Sequence, residues 1–117
     1  MSMNDFTLKT IRIIEYIPAG RVLTYGLIAE LAGSPRSARQ VARTLHSLSE
    51  KYNLPWHRVV NSKGQIALNS LEAKEHQKLL LEQEGVTVSE SYSVDLDQYL
   101  CEIDSYDFDD FPGLEQD

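Results

Sequence analysis

The stretch Thr24-Tyr25-Gly26-Leu27-Ile28-Ala29-Glu30-Leu31-Ala32-Gly33-Ser34-Pro35-Arg36-Ser37-Ala38-Arg39-Gln40-Val41-Ala42-Arg43 reads as two helices with a turn between them. Thr24 has a hydroxyl suited to capping a helix N-terminus, and Leu27, Ile28 and Leu31 recur at the spacing of one helical face. Gly33 falls where a helix closes with a left-handed residue, a conformation glycine adopts without a Cβ clash. Ser34 followed by Pro35 is an N-cap with proline at the first helical position, so the second helix is expected to begin there. At about 100° per residue, Ala38, Val41, Leu45 and Leu48 share one side, and Arg36, Arg39, Gln40, Arg43 and Ser47 share the other. Two short helices, the second with a dry face and an arginine face, form a helix-turn-helix pattern.

Towards the N-terminus, Asn4 or Asp5 can cap a helix that runs to about Ile17, with Phe6, Leu8, Ile11, Ile13, Ile14 and Ile17 as its apolar stripe and Pro18 as its stop. Pro18 to Arg21 reads as a turn, and Val22-Leu23 as a short extended piece. On the other side lies a polar loop, Glu50 to Asn53, and then Pro55-Trp56-His57-Arg58. Val59-Val60 and Gln65-Ile66-Ala67, around Asn61-Ser62-Lys63-Gly64, read as two short strands of a wing. Asn69 with Glu72 makes a capping box for a helix over about 70 to 84, ended by Gly85. Val86, Val88, Tyr92, Val94 and Leu96 suggest extended structure. The fold class expected is therefore mainly α with a small β element, a winged helix-turn-helix.

The 117 residues allow one compact domain with a core of its own. It is expected over residues 1–103, with 104–117 as an acidic, flexible tail. At 42% hydrophobic and 25% charged, the chain has an ordinary soluble composition. No apolar run approaches the ~20 residues of a membrane helix, and no secretory segment precedes the first helix. One cysteine excludes an internal disulfide framework and fits a reducing, intracellular compartment, either bacterial cytoplasm or nucleus. Residues 1–85 hold all 11 Lys and Arg and 8 acids, a balance of +3; residues 86–117 hold 10 acids and no Lys or Arg, a balance of −10, and the two sum to −7. A mildly basic body is thus joined to a strongly acidic end, and only that distribution bears on DNA binding. The acidic run is either a solvated appendage or a segment that folds back on the basic face to tune affinity. Tyr106, Phe108 and Phe111 leave a partner-docking role open.

Pro18-x-Gly20, Thr24-Tyr25-Gly26, Ile28-Ala29, Gly33-x-Pro35, Ala38-Arg39-x-Val41, Pro55-x-His57-Arg58-Val59-Val60, Gly64, Lys74 and Glu84-Gly85 stand in register with a known family. From Ile17 to about Gly85 the chain resembles the DNA-binding domain of O6-alkylguanine-DNA alkyltransferases, without their N-terminal domain. In those enzymes a cysteine takes the alkyl group from the base; here that position is Trp56, whose indole offers a weak N–H donor and a flat face but no nucleophile. Relatives with this substitution are the alkyltransferase-like proteins, and the resemblance identifies the chain with them.

The resemblance implies a lesion pocket formed by Tyr25, Trp56, His57, Arg58 and Val59. It implies DNA contacts from Tyr25 and Arg39; beside it, Arg36 and Arg43 as cations, Thr24, Ser34 and Ser37 through hydroxyls and helix N-terminal amides, and Gln40 on the arginine face are expected at phosphates, each equally readable as a plain surface residue. Arg39 matches the finger that fills the gap left by a flipped base, and extruding a base costs a few kcal/mol, so something must stabilise the open duplex. Tyr25 matches the tyrosine that crowds the target phosphate. His57 and Glu84 match the pair that activates the cysteine through a water; with no thiol to deprotonate, they are expected to hold the motif by hydrogen bonds. Ser47-Leu48-Ser49 replaces an Asn-Pro hinge, and Leu68-Asn69-Ser70 replaces a Tyr-Ser-Gly-Gly loop, which implies a more open pocket and tolerance of larger alkyl groups. Cys101, beside Glu102 and Asp104, is expected to be inert. His46 and His76 lack partners at ligand spacing, so neither a metal nor a cofactor is expected.

The function implied is a non-enzymatic sensor that binds O6-alkylguanine in double-stranded DNA from the minor groove, flips it, and marks it for nucleotide excision repair proteins while acting as a monomer away from membranes. Two alternatives remain. A winged-helix regulator would read sequence in undamaged DNA. A hydrolytic dealkylase would use His57, Glu84 and a water to free an alcohol from the lesion.

Overall fold

The computed structural model describes residues 4–103, so the tail expected over 104–117 lies outside the described residues. Five helices and two very short strands follow one another: α1 (Asp5–Tyr16), β1 (Leu23–Thr24), α2 (Tyr25–Leu31), α3 (Ala38–Tyr52), β2 (Val59–Val60), α4 (Leu71–Gln83) and α5 (Leu96–Tyr99). A single 3-10 turn, Trp56–Arg58, leads into β2.

Asn4 caps α1, its side chain accepting the Thr7 N–H at 2.8 Å. Ile11, Ile13 and Ile14 of α1 are buried, and Ile17 follows them into the core as the helix ends before Pro18. Thr24 caps α2 as expected, accepting the Leu27 N–H. Gly33 closes it at φ +96°, a value that strains any residue with a Cβ.

The next helix starts later than Ser34-Pro35 suggests. Those residues form a turn closed by the Ser37 N–H on the Ser34 carbonyl, and α3 begins at Ala38 with Ser37 as its cap residue. The two serine hydroxyls bond each other at 2.6 Å instead of capping the helix. Val41, Thr44 and Leu45 form the buried face of α3, packed on α1 and α2.

The expected wing is not a hairpin. β2 pairs in parallel with β1, Leu23 opposite Val59 and Thr24 opposite Val60. This ladder ties the Trp-His-Arg turn directly to the start of α2. The strand expected at Gln65-Ile66-Ala67 is reduced to a bridge from Gln65 to Ser93, because Asn61 accepts the Lys63 and Gln65 N–H groups and curls the chain into a local turn. Gly64 in that turn is held at φ +82°, and a Cβ there would lie 2.4 Å from the Val94 carbonyl oxygen.

Ser70, rather than Asn69, caps α4 by accepting the Ala73 N–H. Leu81 anchors α4 in a second core with Val22, Val60, Ile66, Val86, Val88 and Val94. The expected extended structure after Gly85 is a Val88–Val94 bridge followed by α5. Cys101 is buried against the first core, and its N–H donates to the Val22 carbonyl. Among the described residues, no helix is long and apolar enough to cross a membrane.

Candidate functional site

Arg36, Arg39, Gln40, Arg43 and Ser47 are all exposed, as the helical spacing predicts. None of the three arginines makes an ion pair among the described residues. His46 and Glu50 continue the same stripe of α3, since each falls within about 40° of Arg39 at 100° per residue. The stripe runs into a cavity of about 590 Å³. Tyr25, Leu45, His46, Glu50, Trp56 and Leu68 are among the residues that line it, so the cationic face and the hollow belong to one continuous surface.

Trp56 is half-buried at the edge of the 3-10 turn. The His76 ring lies at 5.7 Å from the indole, tilted by 33°, and the His57 ring meets it edge-on at 6.0 Å. Tyr25 opens α2 directly after β1, so the β1–β2 ladder sets its position relative to Trp56. Burial pushes the Tyr25 hydroxyl pKa up, which keeps the group neutral.

Of the five residues expected to form the pocket, only Tyr25 and Trp56 line this cavity. His57 and Arg58 lie beside a second hollow of about 490 Å³ that Trp56 also borders. Val59 is 1% exposed and belongs to the core, because its place opposite Leu23 in the ladder turns it inwards. Thr24 is also buried, its hydroxyl committed to capping α2.

Behind the turn, the Glu84 carboxylate gathers four groups. It accepts from His57 Nε2 at 2.8 Å, from Arg58 Nε at 3.0 and 3.1 Å, from Arg58 Nη2 at 2.6 Å and from the Gly20 N–H at 3.2 Å. Arg58 Nη1 also donates to the Ile17 carbonyl at 2.7 Å. Burial alone would raise the Glu84 pKa, but the bonds from Arg58, His57 and Gly20 outweigh it and bring the carboxyl down to about 2. Glu84 is thus an anchored, ionised acceptor joining α1, the 3-10 turn and the end of α4.

Three features escape a reading of the sequence. Gln77 is 2% exposed, and its amide donates to the carbonyls of His57 and Val59, satisfying the backbone of the motif from α4. The only available signal is a glutamine two turns before Glu84 on one helix. His46 and His76, unremarkable as metal ligands, are brought to the cavity rim and to the Trp56 ring. Among the described residues, no group of three His, Cys, Asp or Glu side chains is placed to hold a metal.

An ionised clamp fixes an aromatic wall beside a row of arginines that make no ion pair among the described residues, and an indole rather than a thiol forms that wall. Together these define a DNA-binding domain of the alkyltransferase type with an indole in place of the thiol. The family described as 6-O-methylguanine DNA methyltransferase, DNA binding domain, matches residues 5–86, and the chain belongs to it. Within that family it is an alkyltransferase-like protein: Trp56 stands where the transferases carry cysteine, and the one cysteine, Cys101, is buried elsewhere. It is 47% identical over 96 residues to the DNA base-flipping protein of Escherichia coli, spanning 82% of this chain and 74% of that one. It is 40% identical over 107 residues to alkyltransferase-like protein 1 of Schizosaccharomyces pombe, spanning 91% and 96%. The crystal structure of S. pombe Atl1 in complex with damaged DNA containing O6-carboxymethylguanine superimposes with a TM-score of 0.78 at 36% identity, covering 88% of this chain and all of that one.

Proposed function

We propose that this protein is a sensor of O6-alkylguanine in duplex DNA, which it binds from the minor groove and flips without removing the alkyl group. One observation carries this reading: the exposed arginine stripe of α3 leads straight into a cavity walled by Tyr25 and Trp56. A cationic helix face alone would suit any duplex. A hollow of base-accepting size at its end, with an indole as one wall, suits an extruded nucleotide.

In this assignment Arg39 enters the duplex and fills the vacated space, and Tyr25 crowds the phosphate of the turned nucleotide. Arg36, Gln40 and Arg43 contact the backbone, with Ser34 and Ser37 in the turn that leads into α3. His57 and Glu84 position Trp56 and take no part in chemistry. Glu84 is consumed by Arg58, Gly20 and His57, which leaves it poorly suited to serve as a general base and weighs against hydrolysis. The helix-turn-helix of α2 and α3 thus serves lesion capture, and the stable complex flags the site for nucleotide excision repair.

The test is binding to matched duplexes containing guanine or O6-methylguanine, followed by analysis of the recovered DNA. Tighter lesion binding with the methyl group still on the base supports the sensor. Equal affinity for both duplexes overturns it in favour of a regulator of undamaged DNA, and a demethylated product overturns it in favour of an enzyme.

A further inference from the structure

Among the described residues that line the cavity, Glu50 is the only one with a formal charge; no lysine or arginine lines it. Glu50 is exposed, and its carboxylate makes no hydrogen bond or ion pair among the described residues. His46 precedes it by one helical turn and faces the same hollow. Arg43, seven residues before Glu50 on the same stripe, is not part of the lining. The other walls are uncharged: aromatic at Tyr25 and Trp56, aliphatic at Leu45 and Leu68, and hydroxyl or amide at Ser49 and Gln77.

A group placed in this cavity therefore meets a negative charge at its rim, with no lysine or arginine among the described lining residues to offset it. We infer that Glu50, with His46 beside it, makes the cavity discriminate between lesions by the charge of the O6 substituent, favouring cationic and hydroxyl-bearing groups and disfavouring carboxylate-bearing ones. This rests on the lesion-sensor reading and gives it a substrate class. Two like charges several ångströms apart at a partly solvated rim weaken binding by roughly fivefold, and opposite charges strengthen it by a similar factor. The imidazole of His46 can accept from or donate to a hydroxyl, which suits a hydroxyalkyl substituent.

The experiment measures the binding of the full chain and its Glu50→Gln variant to four otherwise identical duplexes. These carry guanine, O6-methylguanine, O6-carboxymethylguanine or O6-(2-aminoethyl)guanine. The wild type is expected to rank aminoethyl above methyl and methyl above carboxymethyl, with about fivefold between neighbours. Glu50→Gln brings both ratios to the methyl duplex close to one, raising carboxymethyl and lowering aminoethyl relative to it. A substitution acting through shape alone would move both ratios in the same direction. Carboxymethyl binding equal to or tighter than methyl in the wild type, or ratios that Glu50→Gln leaves unmoved, overturns the inference while the sensor stands. Methyl binding no tighter than guanine overturns both together. Glu50 lies on an exposed helix face, and a thermal melt of the variant verifies that the fold is intact.

Discussion

Arg58 embraces Glu84 with two of its nitrogens while its third reaches the Ile17 carbonyl, so one side chain ties the end of α1 to the end of α4 across the Trp56 turn. The exposure of the pair, 18% and 15%, is low enough for this to be more than a screened surface contact. The Glu84 carboxyl lies at about 2 in the folded protein against an ordinary 4.5. A depressed carboxyl stabilises the fold in full above its unfolded value, and that stabilisation is lost as pH falls through the folded one. Glu84→Gln is therefore expected to lower stability by about 2 kcal/mol at neutral pH. In urea melts, the gap between variant and wild type narrows as pH falls from 4.5 towards 2. A constant gap across that window would show that the carboxylate's charge contributes nothing.

Trp56 presents the only tryptophan face in the chain to the cavity, with the His76 ring 5.7 Å away. Removing the indole deletes the stacking wall without touching the arginine stripe. Trp56→Ala is expected to reduce the preference for O6-methylguanine over guanine by about tenfold, in line with one lost base–aromatic stack. Affinity for undamaged duplex changes far less. Fluorescence anisotropy on the two duplexes measures both, and a proportional loss on each would assign Trp56 to packing alone.

Arg39 and Arg43 sit one turn apart on the same exposed stripe, yet they are assigned different work. Arg43→Ala should weaken all duplexes alike and reduce the slope of log K against log salt by about one, as for a single phosphate contact. Arg39→Ala should in addition lower the ratio of lesion to undamaged binding, because the opened duplex loses its filler. A 2-aminopurine placed beside the target base reports the opening directly. Equal ratios in the two variants would mean that neither arginine enters the helix.

The acidic end offers a test of where the folded body stops. Ile103 still packs against the first core, whereas Asp104, Asp107, Asp109, Asp110, Glu115 and Asp117 bring six carboxylates beyond it. A chain ended after Ile103 is expected to melt within a few degrees of the full chain. It should bind duplex DNA more tightly at low salt, since the carboxylates oppose approach to phosphates. A collapse of the melting temperature would move the domain boundary into the acidic segment.

The helices were legible because their signals are local. Asn4 and Thr24 are caps, Ile11 and Ile14 keep helical spacing, and Gly33 marks an end, all within a few residues of what they determine. The arginine face of α3 was legible for the same reason. The partner of Val59-Val60 was not, because a parallel ladder to Leu23-Thr24 joins segments about 35 residues apart, and nothing in either dipeptide distinguishes it from a hairpin arm. The start of α3 was not legible, because Ser34-Pro35 is as good a turn as it is a cap. Trp56, Tyr25 and the His57–Glu84 contact came from resemblance to a family, not from spacing. The cavity rim at His46 and Glu50 became visible only once α3 was docked beside Trp56.

Gln77 shows the limit most sharply, and it yields the most direct test of how the motif is held. A glutamine on a helix is ordinarily a solvated residue, but α4 packs against the Trp-His-Arg turn and buries it. Its one amide nitrogen serves the carbonyls of both His57 and Val59, at 2.9 and 3.1 Å. Gln77→Leu keeps the volume and removes the donor, leaving both bonds unmade. A loss of about 2 kcal/mol is expected, the cost of stranding a buried acceptor. Gln77→Glu should be at least as damaging, since an ionised carboxylate offers acceptors where a donor is required. If the amide holds the turn that carries Trp56, Gln77→Leu will also erode lesion preference under conditions where the variant remains fully folded. Denaturant melts paired with duplex binding separate the two effects, and a stability loss with unchanged preference would show that Arg58 and Glu84 suffice to place the indole.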